Sequence, residues 1–184
     1  MPPTAHPLAA LARFHRELDA RGLTATADML YASVPEQRLH HFRNGVLLAS
    51  YDISSGRLPP SCVENSNGTP DGLHCIANKI GDGAPLGMIF KSRLPIGKVY
   101  SDLEPADNIR NYVTTRILRL RGLEPGKNSG PGCDTYDRFI YIHGTNHEHL
   151  IGTPDTHGCL AMRNAEVIQL FNEVPEGSLV WIAV

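Results

Sequence analysis

Asn44-Gly45, set between residues 38–43 and 46–53, limits the fold of this 184-residue chain more than any other short feature. An Asn-Gly pair accepts positive φ at two successive residues, which is the backbone a two-residue hairpin requires. The flanking runs are therefore read as paired antiparallel strands. Leu47, Ala49, Tyr51 and Ile53 alternate along one face of the second arm. Further strand-like runs lie at 73–77, 86–91, 113–120, 138–143 and 178–184. Residues 54–72, ending in Thr69-Pro70-Asp71-Gly72, and residues 122–132 are dense in turn-forming types and read as loops.

Helical spacing is scarcer. Leu8, Leu11, His15 and Leu18 recur over 7–21 with Phe14 beside them, and Gly22 is a natural stop. Thr24 is placed to cap a second short helix reaching Leu30 or Tyr31, and Pro35 marks a boundary. Asn164 is placed to cap a last helix that buries Ala165, Ile168, Leu170 and Phe171, with Pro175 and Gly177 ending it. The expected fold is mainly β, a domain of curved or packed sheets over 36–184 behind a short N-terminal helical extension at 1–35.

Composition excludes some classes. The net charge of −2 gives no general electrostatic grip on nucleic acid. No apolar run approaches the roughly 20 residues of a membrane span. Leu8 to Leu11 is soon interrupted by Arg13, His15, Arg16 and Glu17, so the chain as it stands carries no export signal and reads as cytoplasmic. The alternative is a cell-envelope protein trimmed of its signal. Cys62, Cys75, Cys133 and Cys159 form no CxxC pair, which argues against a zinc ribbon. They fit four free thiols, or one disulfide among the first three in an oxidising compartment.

The chemistry concentrates near the end of the chain. On the strand expected at 138–143, Phe139, Tyr141 and His143 share one face, and His143 runs into Gly144. A loop then leads to Thr156-His157-Gly158-Cys159. A cysteine just ahead of a helix feels the positive end of its dipole, which lowers the thiol pKa. Gly158 clears the approach, and the N–H groups of Gly158 and Cys159 are placed to hold a developing oxyanion. A Cys–His pair requires that the imidazole reach the sulfur. The competing readings are an inert buried thiol and a core histidine. Asp155 and Glu148 read as solvated loop charges. His143, His147, His149, His157 and Cys159 are zinc donors in a short span, but no HExxH pattern joins them. No metal and no cofactor is expected.

The run Ile142-His143-Gly144-Thr145, a loop, and Thr156-His157-Gly158-Cys159 together resemble the YkuD-type L,D-transpeptidases. Supporting stretches are Thr69 to Gly72, Lys79-Ile80-Gly81-Asp82-Gly83, Thr114 to Leu118, and Gly152-Thr153-Pro154. The resemblance covers roughly 36–184. It implies a β-sandwich-like fold with a cleft over the cysteine, and attack on the stem peptide of peptidoglycan. The thiol would displace the terminal D-alanine from an L-configured centre as a thioester. An amine acceptor then gives a 3→3 cross-link or exchange of a D-amino acid; water gives L,D-carboxypeptidase activity. By the same resemblance Cys159 is the nucleophile and His143 the base. The backbone carbonyl of Gly144 orients the imidazole, and Thr156, His157 and Gly158 line the substrate and oxyanion site.

One departure stands out. The family usually carries Arg two residues after the cysteine, where this chain has Ala161; Arg163, Arg116 and Arg138 are the candidates to replace it. The expected partner is a stem peptide or soluble muropeptide. With no export signal and no wall-binding repeat, hydrolysis in murein recycling is the expected outcome. Ala161 motivates a contrasting expectation, a catalytically silent muropeptide-binding module.

Overall fold

The computed structural model describes residues 7–104, 106 and 109–184. Ten strands join in one sheet of order β3-β2-β1-β10-β4-β7-β5-β6, and β8 and β9 branch from β7. The strands are β1 (Asp28–Ser33), β2 (Arg38–Arg43), β3 (Val46–Asp52), β4 (Gly72–Ile80), β5 (Met88–Lys91), β6 (Leu94–Val99), β7 (Val113–Gly122), β8 (Tyr141–Thr145), β9 (Leu160–Met162) and β10 (Leu179–Ala183). The α-helices are α1 (Pro7–Asp19) and α2 (Asn164–Glu173). The mainly β expectation therefore holds. Asn44 and Gly45 take φ of 49° and 79°, so the β2–β3 hairpin turns as its sequence requires.

The expected second helix over 24–31 is a strand instead. β1 runs parallel to β10 and antiparallel to β2, in the interior of the sheet. All six of its residues are buried. Leu30 and Ala32 join one core cluster, while Met29 and Tyr31 join another on the opposite face. A strand covered on both sides loses its polar/apolar alternation, which is why its pattern resembles a buried helix. Among the described residues, the helical part of the first 35 is thus α1 alone. Ala10, Leu11, Phe14 and Leu18 pack it on Trp181 and neighbouring strands, with Phe14 and Trp181 centroids 5.7 Å apart. The other face is covered by α2 through Val167, Leu170 and Phe171. α1 therefore backs the sheet and contributes nothing to the cleft described below.

The strand expected from residue 138 begins only at Tyr141. Residues 134–139 turn, and Phe139 has φ of 57°, which takes it off the shared face of Tyr141 and His143.

Candidate active site

β8 and β9 pair in parallel, with His143 opposite Ala161 and Ile142 opposite Leu160. Side chains alternate along each strand, so Cys159, one residue before β9, shares the face of Ala161 and hence of His143. Both side chains line a cleft of ≈ 110 Å³ with Asn111, Tyr112, Val113, Thr156 and His157.

His143 is almost wholly enclosed, and its Nδ1 lies 2.7 Å from the Gly144 carbonyl. A carbonyl only accepts, so Nδ1 carries the proton and Nε2 keeps its lone pair. Burial pushes His143 down to about 4, against the smaller opposing effect of the Gly144 carbonyl. Gly144 is required by close approach: a Cβ there would sit 2.5 Å from Asn164 Oδ1 and 2.8 Å from the Thr114 carbonyl.

Cys159 is partly buried and lines the cleft beside Tyr141 and Phe139. The Tyr141 N–H points at Sγ from 3.4 Å, and the thiol faces the Phe139 carbonyl at 3.6 Å. The imidazole is not among its hydrogen-bond partners in this state. Burial pushes the thiol up to about 11, outweighing the Tyr141 N–H and the positive charge of Arg138. The resting pair is therefore neutral thiol and neutral imidazole. This corrects the expectation of a dipole-lowered thiol: β9 intervenes between Cys159 and α2, so the helix terminus does not face the sulfur.

A single hydroxyl braces the turn. Thr156 Oγ1 donates to the Cys159 carbonyl (2.7 Å) and accepts the Gly158 N–H (3.1 Å). The Gly158 N–H, expected to face substrate, is thus engaged inside the turn. Gly158 takes φ of 112°, and a Cβ on it would fall 2.8 Å from the Gly68 carbonyl. His157 is exposed and also lines a second lobe of ≈ 170 Å³ with Glu64, Asn67, Asp137, Arg138 and Phe139.

The three candidate arginines separate. Arg163 points to Asp52 (3.3 Å) and Glu166 (3.5 Å). Arg116 donates to the Thr115 and Ala84 carbonyls and lies over Phe171. Neither lines the cleft. Arg138 alone stands near the sulfur, donating to the carbonyls of Gly68 (2.7 Å) and Ser61 (3.0 Å) and to Ser66 Oγ (3.2 Å). Ala161 is buried between His143 and Ser54, with backbone bonds to Ser54 in both directions.

The loop acids are engaged by the protein rather than left to solvent alone. Asp155 is buried and accepts from Asn111 Nδ2 (2.8 Å), with His147 Nδ1 at 3.2 Å. Glu148 accepts the Asn164 N–H (2.6 Å) and so caps α2. His147 and His149 lie ring against ring at 5.7 Å. Among the described residues, no group of three or more His, Cys, Asp or Glu converges on a metal-sized site. All four cysteines are free thiols.

Sequence reasoning missed Asn111, Tyr112 and Val113. Their signal lies only in pairing: Val113 sits opposite Thr145 where β7 meets β8, which carries the preceding residues over His143.

His74 shares the electrostatic character of His143. It is fully enclosed, with Nδ1 2.9 Å from the Gly72 carbonyl and Nε2 3.1 Å from Thr135 Oγ1, and burial holds it down to about 4. The unfolded chain takes up these protons near 6.5, so it binds more protons than the native state between 6.5 and 4. Their contribution is complete above 6.5 and is lost as pH falls through 4, by as much as about 3 kcal/mol per histidine. A series of Tm values from neutral pH to pH 4 should fall steeply across this window. A flat series would contradict two neutral buried imidazoles.

A mainly β domain whose cleft pairs a thiol with a tautomer-fixed imidazole is the class that fold and site define. The chain belongs to the YkuD family, the L,D-transpeptidase catalytic domain, which matches residues 27–182. That match reaches back to include β1. The chain is similar to YqjB of Bacillus subtilis (strain 168), whose L,D-transpeptidase name is itself provisional, with 44% identity over 73 residues. This alignment covers 35% of the chain and 42% of YqjB. The fold is similar to that of L,D-transpeptidase 3 from Mycobacterium tuberculosis, solved with a faropenem-derived adduct. The TM-score is 0.54 at 15% identity, over 86% of this chain and 60% of that one. A Xylanimonas cellulosilytica DSM 15894 L,D-transpeptidase gives a TM-score of 0.53 at 18% identity, over 93% of this chain and 69% of that one. The chain thus spans less than two thirds of YqjB and of the mycobacterial structure.

Proposed function

We propose that this chain opens the amide bond between the L-configured centre and the terminal D-alanine of a peptidoglycan stem tetrapeptide, with water as the preferred acceptor. One observation carries the reading: Cys159 and an imidazole fixed by Gly144 face the same cleft. Because the resting pair is neutral, proton transfer accompanies attack. Sγ bonds to the substrate carbonyl carbon while His143 Nε2 takes the thiol proton. The Cys159 N–H is left to hold the oxyanion, since that of Gly158 is engaged by Thr156. Collapse breaks the C–N bond, His143 returns the proton to the departing amine, and D-alanine leaves a thioester behind. Water, deprotonated by His143, then releases the tripeptide and restores the thiol. Negative charge arising on sulfur meets the Tyr141 N–H and the nearby Arg138 guanidinium.

Part of Cys159 reaches solvent in the cleft, which gives water access to the thioester once D-alanine has left. Soluble tetrapeptide incubated with the protein should yield tripeptide and equimolar free D-alanine. Cross-linked dimer with little hydrolysis would overturn the preference for water. The alternative, transfer to an amine in 3→3 cross-linking or D-amino acid exchange, is favoured by one feature. The second lobe brings Glu64 and Asp137 beside His157, and carboxylates suit an incoming ammonium.

A further inference from the structure

Asn164 reads in sequence as a helix cap, yet its side chain does no capping. Residue Arg163 occupies the cap position, and the first N–H of α2 goes to Glu148. The Asn164 amide instead points into the sheet, almost completely buried. Its Nδ2 donates to the Thr145 carbonyl (2.7 Å) and to Glu148 Oε1 (2.7 Å). Both of those atoms only accept, so the amide orientation is fixed, and Oδ1 faces the hydroxyls of Thr114 (2.6 Å) and Thr115.

These contacts converge on an irregularity. The β7–β8 register shifts between Thr114 and Ile117, and Thr115 takes φ of 66°. A β-branched residue in the left-handed region is an outlier that persists only when its surroundings hold it. Thr115 Oγ1 is held from both sides, donating to Asn164 and accepting the Gly87 N–H at 2.9 Å. Across the ladder from this bulge lies Gly144, with no room for a Cβ because Asn164 Oδ1 occupies that space.

We propose that Asn164 is a positioning residue: its buried amide ties the β7 bulge to the Gly144–Thr145 backbone and so fixes the carbonyl that orients His143. It acts through Gly144 and does not line the cleft. The inference rests on His143 acting as the base, but its primary readout does not require turnover.

That readout is the ¹⁵N spectrum of histidine-labelled protein at neutral pH. The parent chain should show His143 as a single Nδ1–H tautomer. Asn164→Ala should give mixed tautomers, and slow acylation by a carbapenem as much as about a hundredfold. KM for tetrapeptide should change little. Thr115→Val, which removes one hydroxyl without changing shape, should move both readouts in the same direction, and Thr115→Ser should restore them. If Asn164→Ala does not fold, the Thr115 pair carries the test. A single unchanged tautomer in the folded variants overturns the proposal, whatever happens to activity. Normal acylation in His143→Ala would instead overturn the reading of His143 and leave the tautomer result standing.

Discussion

Cys159→Ala should give a folded protein that forms no covalent adduct with a carbapenem and releases no D-alanine from tetrapeptide. Removing the sulfur deletes the only thiol, among the described residues, that lines the cleft with His143. The structural cost is small, because Cys159 packs only at the edge of a minor cluster with Tyr141, Ile117 and Phe90. Intact-mass measurement reads the outcome directly, and the other thiols provide an internal control. Burial pushes Cys62 up to about 11 and raises Cys75 as well, and, unlike Cys159, neither shares a cleft with His143. An adduct that persists in Cys159→Ala would place the reactive thiol elsewhere. A parent chain that binds muropeptide but forms no adduct would make this a binding module, as the alanine at position 161 first suggested.

His143→Ala should slow acylation by about two to four orders of magnitude. With the thiol held up at about 11, almost no free thiolate exists at neutral pH, so attack depends on a base within the cleft. The sign of the pH dependence follows from burial. His143 must be neutral to accept the proton, and its buried ring stays neutral down to about 4. The acylation rate of the parent chain should therefore hold through pH 6 and fall only as pH approaches 4. In the alanine variant that acid limb should vanish, leaving a rate that climbs with pH as thiolate forms towards 11. A near-normal rate in the variant, or an acid limb centred at 6.5, would remove His143 from this role.

Much of the site was legible because its signals are local. His143, Gly144 and the Thr156 to Cys159 run are short strings whose chemistry depends on residue type and spacing. The hairpin at Asn44-Gly45 was legible for the same reason: the turn needs two positive φ values and the pair supplies them. What escaped depends on distant partners. β1 is sandwiched between two clusters, so no alternation survives in its sequence. The positive φ of Thr115 runs against its residue type, and its hydroxyl is held by the distant Asn164 and Gly87. Three arginines were equivalent as letters, and only the turn at 134–139 brings Arg138 beside the loop that covers Gly158. The dipole argument for Cys159 failed because a three-residue strand, too short to announce itself, separates it from α2.

That short strand also couples the cleft to a distant part of the chain. β9 pairs with the nearby β8 on one side and with the far more distant Ser54 on the other. Parallel and long-range pairings of this kind form slowly because the intervening chain must first be closed into loops. The strand that follows Cys159 is therefore fully seated only once the segment around Ser54 has docked against it.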